Sequence, residues 1–96
     1  MSIVYIGQSQ TKPDTIAELR NFLTSVVAPA ITASEGCESY QLFQSREDPT
    51  RFIGIEIWAS VEAHRASVKN IPAKSIDEFM KLVTGPPSGS YYDHVV

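Results

Sequence analysis

Cysteine is nearly absent. Cys37 stands alone among 96 residues, so no internal disulfide and no cysteine-based zinc site can form. Long apolar runs are missing too. The longest, Val26 to Ile31, is interrupted by Pro29 and falls far short of the roughly 20 residues that cross a bilayer. No membrane partner is expected. The opening residues Met1-Ser2-Ile3-Val4-Tyr5 lack the basic start and apolar stretch of a secretory signal, so the expected location is the cytoplasm. Positive charge is scarce: 8 Lys and Arg stand against 11 Asp and Glu, for a net charge of -3. The cations are scattered and form no stripe that would follow a phosphate backbone, which argues against a nucleic-acid partner. Gly7, Gly36, Gly54, Gly85 and Gly89 compose no dinucleotide or P-loop motif. Glu62 and His64 lie two apart on a predicted helix and point to different sides, which makes them poor joint metal ligands. No flavin, nicotinamide or metal cofactor is therefore expected.

What remains is an ordinary globular composition, 43% apolar and 20% charged, which excludes intrinsic disorder. The length suits one domain spanning residues 1–96. A chain this short buries only about 60–65% of its unfolded surface, so covering further surface with a second copy would help it.

Residues 3–9 are β-branched and aromatic and read as a strand, with Gly7 marking a bulge or a close backbone approach. Thr11-Lys12-Pro13-Asp14 reads as a helix start. Ile16, Leu19, Phe22, Leu23, Val26 and Val27 then form one apolar stripe, and Pro29 kinks or ends that helix. After the break at Glu35-Gly36, residues 37–45 and 51–58 read as an antiparallel hairpin around the polar turn at Asp48-Pro49. Alternation puts Glu38, Tyr40, Leu42 and Gln44 on one face of the first strand, and Cys37, Ser39, Gln41 and Phe43 on the other. On the second strand Phe52, Gly54, Glu56 and Trp58 oppose Ile53, Ile55 and Ile57. Ser60 is the predicted N-cap of a short helix running to about Lys69. Pro72 begins another helix with the stripe Ile76, Phe79, Met80 and Val83, which Gly85-Pro86-Pro87 stops. Ser90 to Val96 reads as a last strand.

The order β-α-β-β-α-α-β predicts an α+β, ferredoxin-like split βαβ fold, with a four-stranded antiparallel sheet and helices on one face. Ile53, Ile55 and Ile57 need cover on the other face. A second copy of the sheet supplies it, so a homodimer with isologous contacts is expected.

The segments Gly36-Cys37-Glu38-Ser39-Tyr40-Gln41-Leu42-Phe43-Gln44, Asp48-Pro49-Thr50-Arg51-Phe52, Glu56-Ile57-Trp58 and Thr84-Gly85-Pro86 resemble the antibiotic biosynthesis monooxygenase family. The resemblance extends over nearly the whole chain. It implies a dimeric α+β barrel with a pocket between each sheet and its own helices. It also implies cofactor-independent oxygenation, by O2, of small electron-rich aromatics such as quinols and anthrones. Some relatives isomerise a small signal molecule and others degrade haem. The haem-degrading branch uses an Asn in the first strand, where this chain has Gly7, so haem degradation is not expected. Many relatives also carry a His on the short helix at the position held here by Ser67, and His64 lies one turn earlier.

Cofactor-free oxygenation asks for a dry apolar pocket, a group to take the substrate's proton, and polar groups for developing charge. His64 is the most evident general base, with an ordinary pKa near 6.5; the alternative is a half-buried His bonded to backbone. Trp58, with Phe79, Met80 and Leu82, can line the pocket, its N–H holding a peroxide oxygen; the alternative is a core Trp bonded to a carbonyl. Tyr40, Tyr91 and Tyr92 can bind a phenol or serve as packing, and Ser67 is read as a substrate contact. Glu56 is a substrate-side carboxylate or a buried group needing a partner, for which Arg51 is the first candidate. His94 is expected to face solvent or the partner copy, and Cys37 to be a small buried side chain. Three functions remain open on these residues: the monooxygenase, a non-catalytic dimeric barrel binding a small ligand, and an isomerase in which His64 moves a proton beside a carbonyl.

Overall fold

The structure is a computed structural model describing residues 1–96. Its elements run β1 (Ile3–Gln10), α1 (Ile16–Phe22), a π-helical stretch (Leu23–Val27), α2 (Ala28–Thr32), β2 (Cys37–Gln44), β3 (Arg51–Trp58), α3 (Val61–Lys69), α4 (Ala73–Leu82) and β4 (Ser88–Asp93). The four strands form one sheet in the order β2-β3-β1-β4. Every neighbouring pair is antiparallel, which is the ferredoxin-like arrangement the element order predicts. No helix is long and apolar enough to cross a membrane.

The strands pack by alternation. On β3, Phe52, Gly54, Glu56 and Trp58 are buried while Ile53, Ile55 and Ile57 between them stay half-buried. The buried face meets the helices. Leu19 and Leu23 from the first helical segment, Phe52 from β3 and Val83 after α4 form the core cluster, with Ile16, Val27, Leu42, Phe79 and Leu82 around it. On the opposite face Phe43 keeps 46% of its surface exposed. That face is the one expected to need cover.

Several boundaries differ from the sequence expectation. The first helix starts at Ile16 rather than beside Pro13. Thr11 instead closes a bridge to Val83, and its hydroxyl, 1% exposed as a residue, donates to the Leu82 carbonyl at 2.7 Å. A long-range bond therefore sets the entry to the helix, in place of a local cap. Pro29 neither ends the helix nor leaves it regular. The chain widens into a π turn over Leu23–Val27 and continues helically to Thr32 with Pro29 in the first turn of α2. The turn lies just before the residue whose missing N–H removes an α-helical rung. Gly7 makes no bulge: it pairs in register with Gly54 on one side and Gly89 on the other. The irregularity falls between Cys37 and Ser39. It returns Cys37 to the side of Trp58, its register partner, so Cys37 does not share a face with Ser39 as strict alternation predicts. The last strand covers Ser88–Asp93, not Ser90–Val96, because Asp93 already pairs with Ile3, the first residue of β1, and beyond it the ladder has no partner.

Candidate active site

The site is built from two adjacent rows across the sheet, both on the face turned to the helices. In one row Tyr91 (β4), Tyr5 (β1), Glu56 (β3) and Tyr40 (β2) stand side by side. In the next, two residues along each strand, stand Gly89, Gly7, Gly54 and Leu42. The three glycines leave a trough, and the tyrosines lie over it. A Cβ added at Gly89 would come within 1.9 Å of the Tyr5 hydroxyl oxygen, and one at Gly54 within 3.1 Å of the Tyr40 ring. The glycines are there to let the rings lie flat on the sheet.

Above the trough is a cavity of about 160 Å³, lined by Tyr5, Gly7, Tyr40, Gly54 and Glu56 from the sheet and by Leu23, Val27, Ile31 and Phe79 from the helices. The lining is apolar except at the tyrosines, Glu56 and the Gln8, Ser9 and Ser88 end. Glu56 is its one ionisable carboxylate. Glu56 lines the cavity and only 7% of it is exposed.

Behind Glu56, away from the cavity, a chain of contacts holds it. The Trp58 indole N–H donates to Glu56 Oε1 at 2.9 Å. Spacing of two on one strand puts both side chains on the same face, so the Glu-x-Trp sequence is itself the reason for this bond. His64 Nε2 lies 3.9 Å from the same oxygen, too far for a hydrogen bond. His64 Nδ1 is 2.7 Å from the Tyr91 hydroxyl. If Tyr91 donates to Nδ1, the imidazole proton sits on Nε2 and points at Glu56. The His64 ring stacks on Tyr5 with centroids 4.0 Å apart and meets Trp58 edge-on at 5.4 Å. Arg65 places its guanidinium 5.9 Å over the Tyr91 ring and closes the outer side.

Burial sets the charges. It pushes Glu56 above the usual carboxylate range, and the bond from Trp58 opposes that rise. It pushes His64 below the usual imidazole range, with Arg65 adding to the effect. Both groups thus move toward their neutral forms. Tyr40 is pushed up to about 12, by burial and then by the charge of Glu56. Tyr5 is raised for the same two reasons, with Tyr91 adding to them. Both phenols therefore keep their protons at neutral pH and serve as donors at the cavity wall.

The structure sorts the sequence candidates. Glu56, Tyr40 and Phe79 line the cavity. Trp58 is fully buried at 0% exposure and His64 is 7% exposed; neither lines the cavity, since Glu56 and Tyr5 stand between. The Trp58 N–H is given to Glu56, not to a backbone carbonyl. Arg51 pairs with Asp48 at 3.2 Å, so it is not the partner of Glu56. Met80 is 42% exposed and outside the cavity, because it falls on the outer side of α4 from Phe79. Ser67 gives its hydroxyl to the His64 carbonyl at 2.7 Å and lines a second cavity between the helices. Sequence reasoning missed Tyr5 and the glycine row. Their signal was three glycines on three strands, which become one row only when β1 is placed between β3 and β4. No three His, Cys, Asp or Glu side chains converge as metal ligands would.

A helix-covered antiparallel sheet with a cavity between the two layers defines a ferredoxin-like α+β protein. Its family is narrower than that. The model for the family described as antibiotic biosynthesis monooxygenase matches residues 2–81, and the chain belongs to that family. No curated protein matches the sequence. Among solved structures, an antibiotic biosynthesis monooxygenase superimposes with a TM-score of 0.85 at 19% identity, covering 98% of this chain and 99% of that one. Rv0793 from Mycobacterium tuberculosis gives 0.82 at 21% identity, covering 100% and 97%. SnoaB, a cofactor-independent oxygenase from Streptomyces nogalater, gives 0.83 at 13% identity, covering 99% and 94%. At these identities the likeness is one of fold.

Proposed function

We propose that the protein is a cytoplasmic, cofactor-independent monooxygenase that oxidises a small electron-rich aromatic, a quinol or anthrone, with O2. The observation that carries this reading is Glu56. It is a buried carboxylate on the wall of a largely apolar cavity, flanked in its own row by the phenols of Tyr5 and Tyr40. A raised carboxylate is a better proton acceptor than an exposed one, and a phenol or anthrone methylene is the acidic partner it suits. Glu56 takes the substrate proton, and Tyr5 and Tyr40 donate to the oxygen on which negative charge develops. The substrate carbanion gives one electron to O2, and the radical pair joins in a C–O bond. Proton return gives a hydroperoxide, which loses water to leave a carbonyl. The balance for an anthrone is CH2 + O2 → C=O + H2O.

In this reading Trp58 and His64 are positioning residues. Trp58 holds the carboxylate, and His64, bonded to the Tyr91 hydroxyl and stacked on Tyr5, packs behind it. The protein works as a homodimer, with Ile53, Ile55, Ile57 and Phe43 on the shared face. Their half-covered state supports that arrangement, as does the small core.

The test is oxygen uptake by metal-stripped protein with 1,8-dihydroxyanthrone, measured against the buffer rate. Catalysed uptake that Glu56→Gln abolishes, while Asp77→Asn on the outer side of α4 does not, supports the assignment. Uptake undiminished in Glu56→Gln removes Glu56 from the chemistry. Binding without any uptake leaves a binding protein in its place.

A further inference from the structure

One buried base takes no part in deprotonating the substrate. His64 stands outside the cavity, and its Nδ1 lies 2.7 Å from the Tyr91 hydroxyl. Tyr91 is the one phenol of its row bonded to a base, whereas Tyr5 and Tyr40 hang their hydroxyls over Gly89 and Gly54. The groups around the imidazole are Tyr5 from β1, Glu56 and Trp58 from β3, Tyr91 from β4 and Arg65 from its own helix. Burial, helped by Arg65, holds His64 below the usual imidazole range, so it is neutral at neutral pH and keeps a lone pair free for a proton.

A base so placed changes what a phenol can do. A phenol that loses an electron becomes a strong acid, so its oxidation is easy only where a base takes the proton in the same step. His64 is that base for Tyr91. The Arg65 guanidinium, 5.9 Å over the Tyr91 ring, opposes positive charge there and favours loss of electron and proton together. The imidazolium that forms has Nε2 3.9 Å from Glu56 Oε1, whose charge attracts it. Contact also runs from the cavity to this pair. Tyr5 lines the cavity, stacks on His64 with centroids 4.0 Å apart, and lies 5.3 Å from the Tyr91 ring. Aromatic rings in contact exchange electrons readily.

We propose that Tyr91 and His64 form a redox-active pair that gives one electron to a peroxyl radical arising in the cavity. The proposal rests on the oxygenase reading, in which a substrate radical that misses its partner adds a second O2 and becomes ROO•. The electron leaves Tyr91 by way of Tyr5, and the proton goes to His64 Nδ1. The balance is ROO• + Tyr91–OH + His64 → ROO− + Tyr91–O• + His64–H+. A solvent thiolate restores the pair: it gives an electron to the half-buried Tyr91 radical while His64 returns the proton. The radical chain that peroxyl radicals carry through free substrate stops at the protein.

The test of the pair needs neither substrate nor turnover. Ruthenium(III) tris(bipyridine), generated by a flash with a cobalt(III) acceptor, oxidises the folded protein. Tyrosyl absorbance follows the radical, and EPR of frozen samples identifies it. Wild type, Tyr91→Phe, His64→Gln and Tyr92→Phe are compared, with circular dichroism checking each fold. Tyr92 is the competing exposed phenol. The expected radical settles on Tyr91, with g-values showing a hydrogen bond from imidazolium. Tyr92→Phe keeps that signal and Tyr91→Phe abolishes it. His64→Gln removes the hydrogen-bond signature and slows formation by on the order of tenfold, the rate equivalent of one hydrogen bond. A signal unchanged in Tyr91→Phe, or lost in Tyr92→Phe, overturns the pair, as does a Tyr91 radical formed as fast in His64→Gln. During turnover of 1,8-dihydroxyanthrone, spin-trapped radical per O2 consumed should rise in Tyr91→Phe, and an equal yield overturns the interception. Oxygen uptake that Glu56→Gln abolishes, with no radical at Tyr91, leaves the oxygenase standing and the pair refuted.

Discussion

Replacing Trp58 by Phe keeps an aromatic ring in the core and removes one hydrogen-bond donor. The indole N–H reaches Glu56 Oε1 at 2.9 Å and is the only donor within hydrogen-bonding distance of that carboxyl. A hydrogen bond to a charged group is worth about 1.5–3 kcal/mol. At about 1.36 kcal/mol per pKa unit, its loss should raise the Glu56 pKa by roughly one to two units. The direction follows from the two opposed causes at this carboxyl: burial remains and the bond that resisted it is gone. Because Trp58 is fully buried, the variant also loses stability, by about 1–3 kcal/mol for the missing ring atoms. Carboxyl-detected ¹³C NMR of Glu-labelled protein follows the titration directly, and urea unfolding follows the stability. A Glu56 midpoint that stays put, or falls, would refute the claim that Trp58 holds the carboxylate in its ionised form. Where Glu56 is the proton acceptor, the acid limb of kcat/KM moves upward by the same amount.

Gly36 sits at φ +87°, and an added Cβ would lie 2.6 Å from the Ala63 Cβ, so Gly36→Ala should cost at least about 1–2 kcal/mol in urea unfolding. Gly85→Ala, with nothing within 4 Å, should be close to neutral in the same assay. Ser60 accepts from the Ala63 N–H at the start of α3, and Ser60→Ala should lose about 1 kcal/mol. The buried His64 has a lowered pKa, so its contribution to stability is present above its ordinary value of 6.5 and is lost as pH falls through the folded value. His64→Gln should flatten the acid side of the stability curve, which denaturant midpoints from pH 7 downward will read. Glu56 has the opposite sign: its contribution is present below its ordinary 4.5 and is lost as pH rises through its raised value, so Glu56→Gln should flatten that part of the curve. Ile55→Lys on the open face should turn a dimer into a 10.6 kDa monomer by light scattering, and an unchanged species would place the interface elsewhere.

Much of the framework is legible in local pattern. The period of two on β3 separates Phe52, Gly54, Glu56 and Trp58 from the isoleucines, and it foretells that Glu56 and Trp58 share a buried face. What local pattern does not carry is register between strands distant in sequence. Tyr5 neighbours Glu56 and Tyr91 because β1 is inserted between β3 and β4, and no spacing along the chain states that. The same insertion aligns Gly89, Gly7 and Gly54, so Gly7 reads as a bulge until its neighbours are known. The helical spacing of His64 from Val61 and Val68 marks it as inward, but its partner, the Tyr91 hydroxyl, depends on β4 pairing. α1 starts later than the cap signal at Pro13 indicates because Thr11 and Thr15 bind the Leu82 carbonyl far along the chain. The bulge at Cys37 left no mark in the alternation of residue types.

The central claim is that this chain alone places an oxygen atom from O2 on an aromatic substrate. Turnover of 1,8-dihydroxyanthrone under ¹⁸O2, with metal-stripped protein and mass spectrometry of the product, tests it most directly. The account predicts a quinone carrying one ¹⁸O, formed faster than in buffer and lost with Glu56→Gln. Product formed no faster than in buffer, or carrying oxygen from water alone, would contradict it.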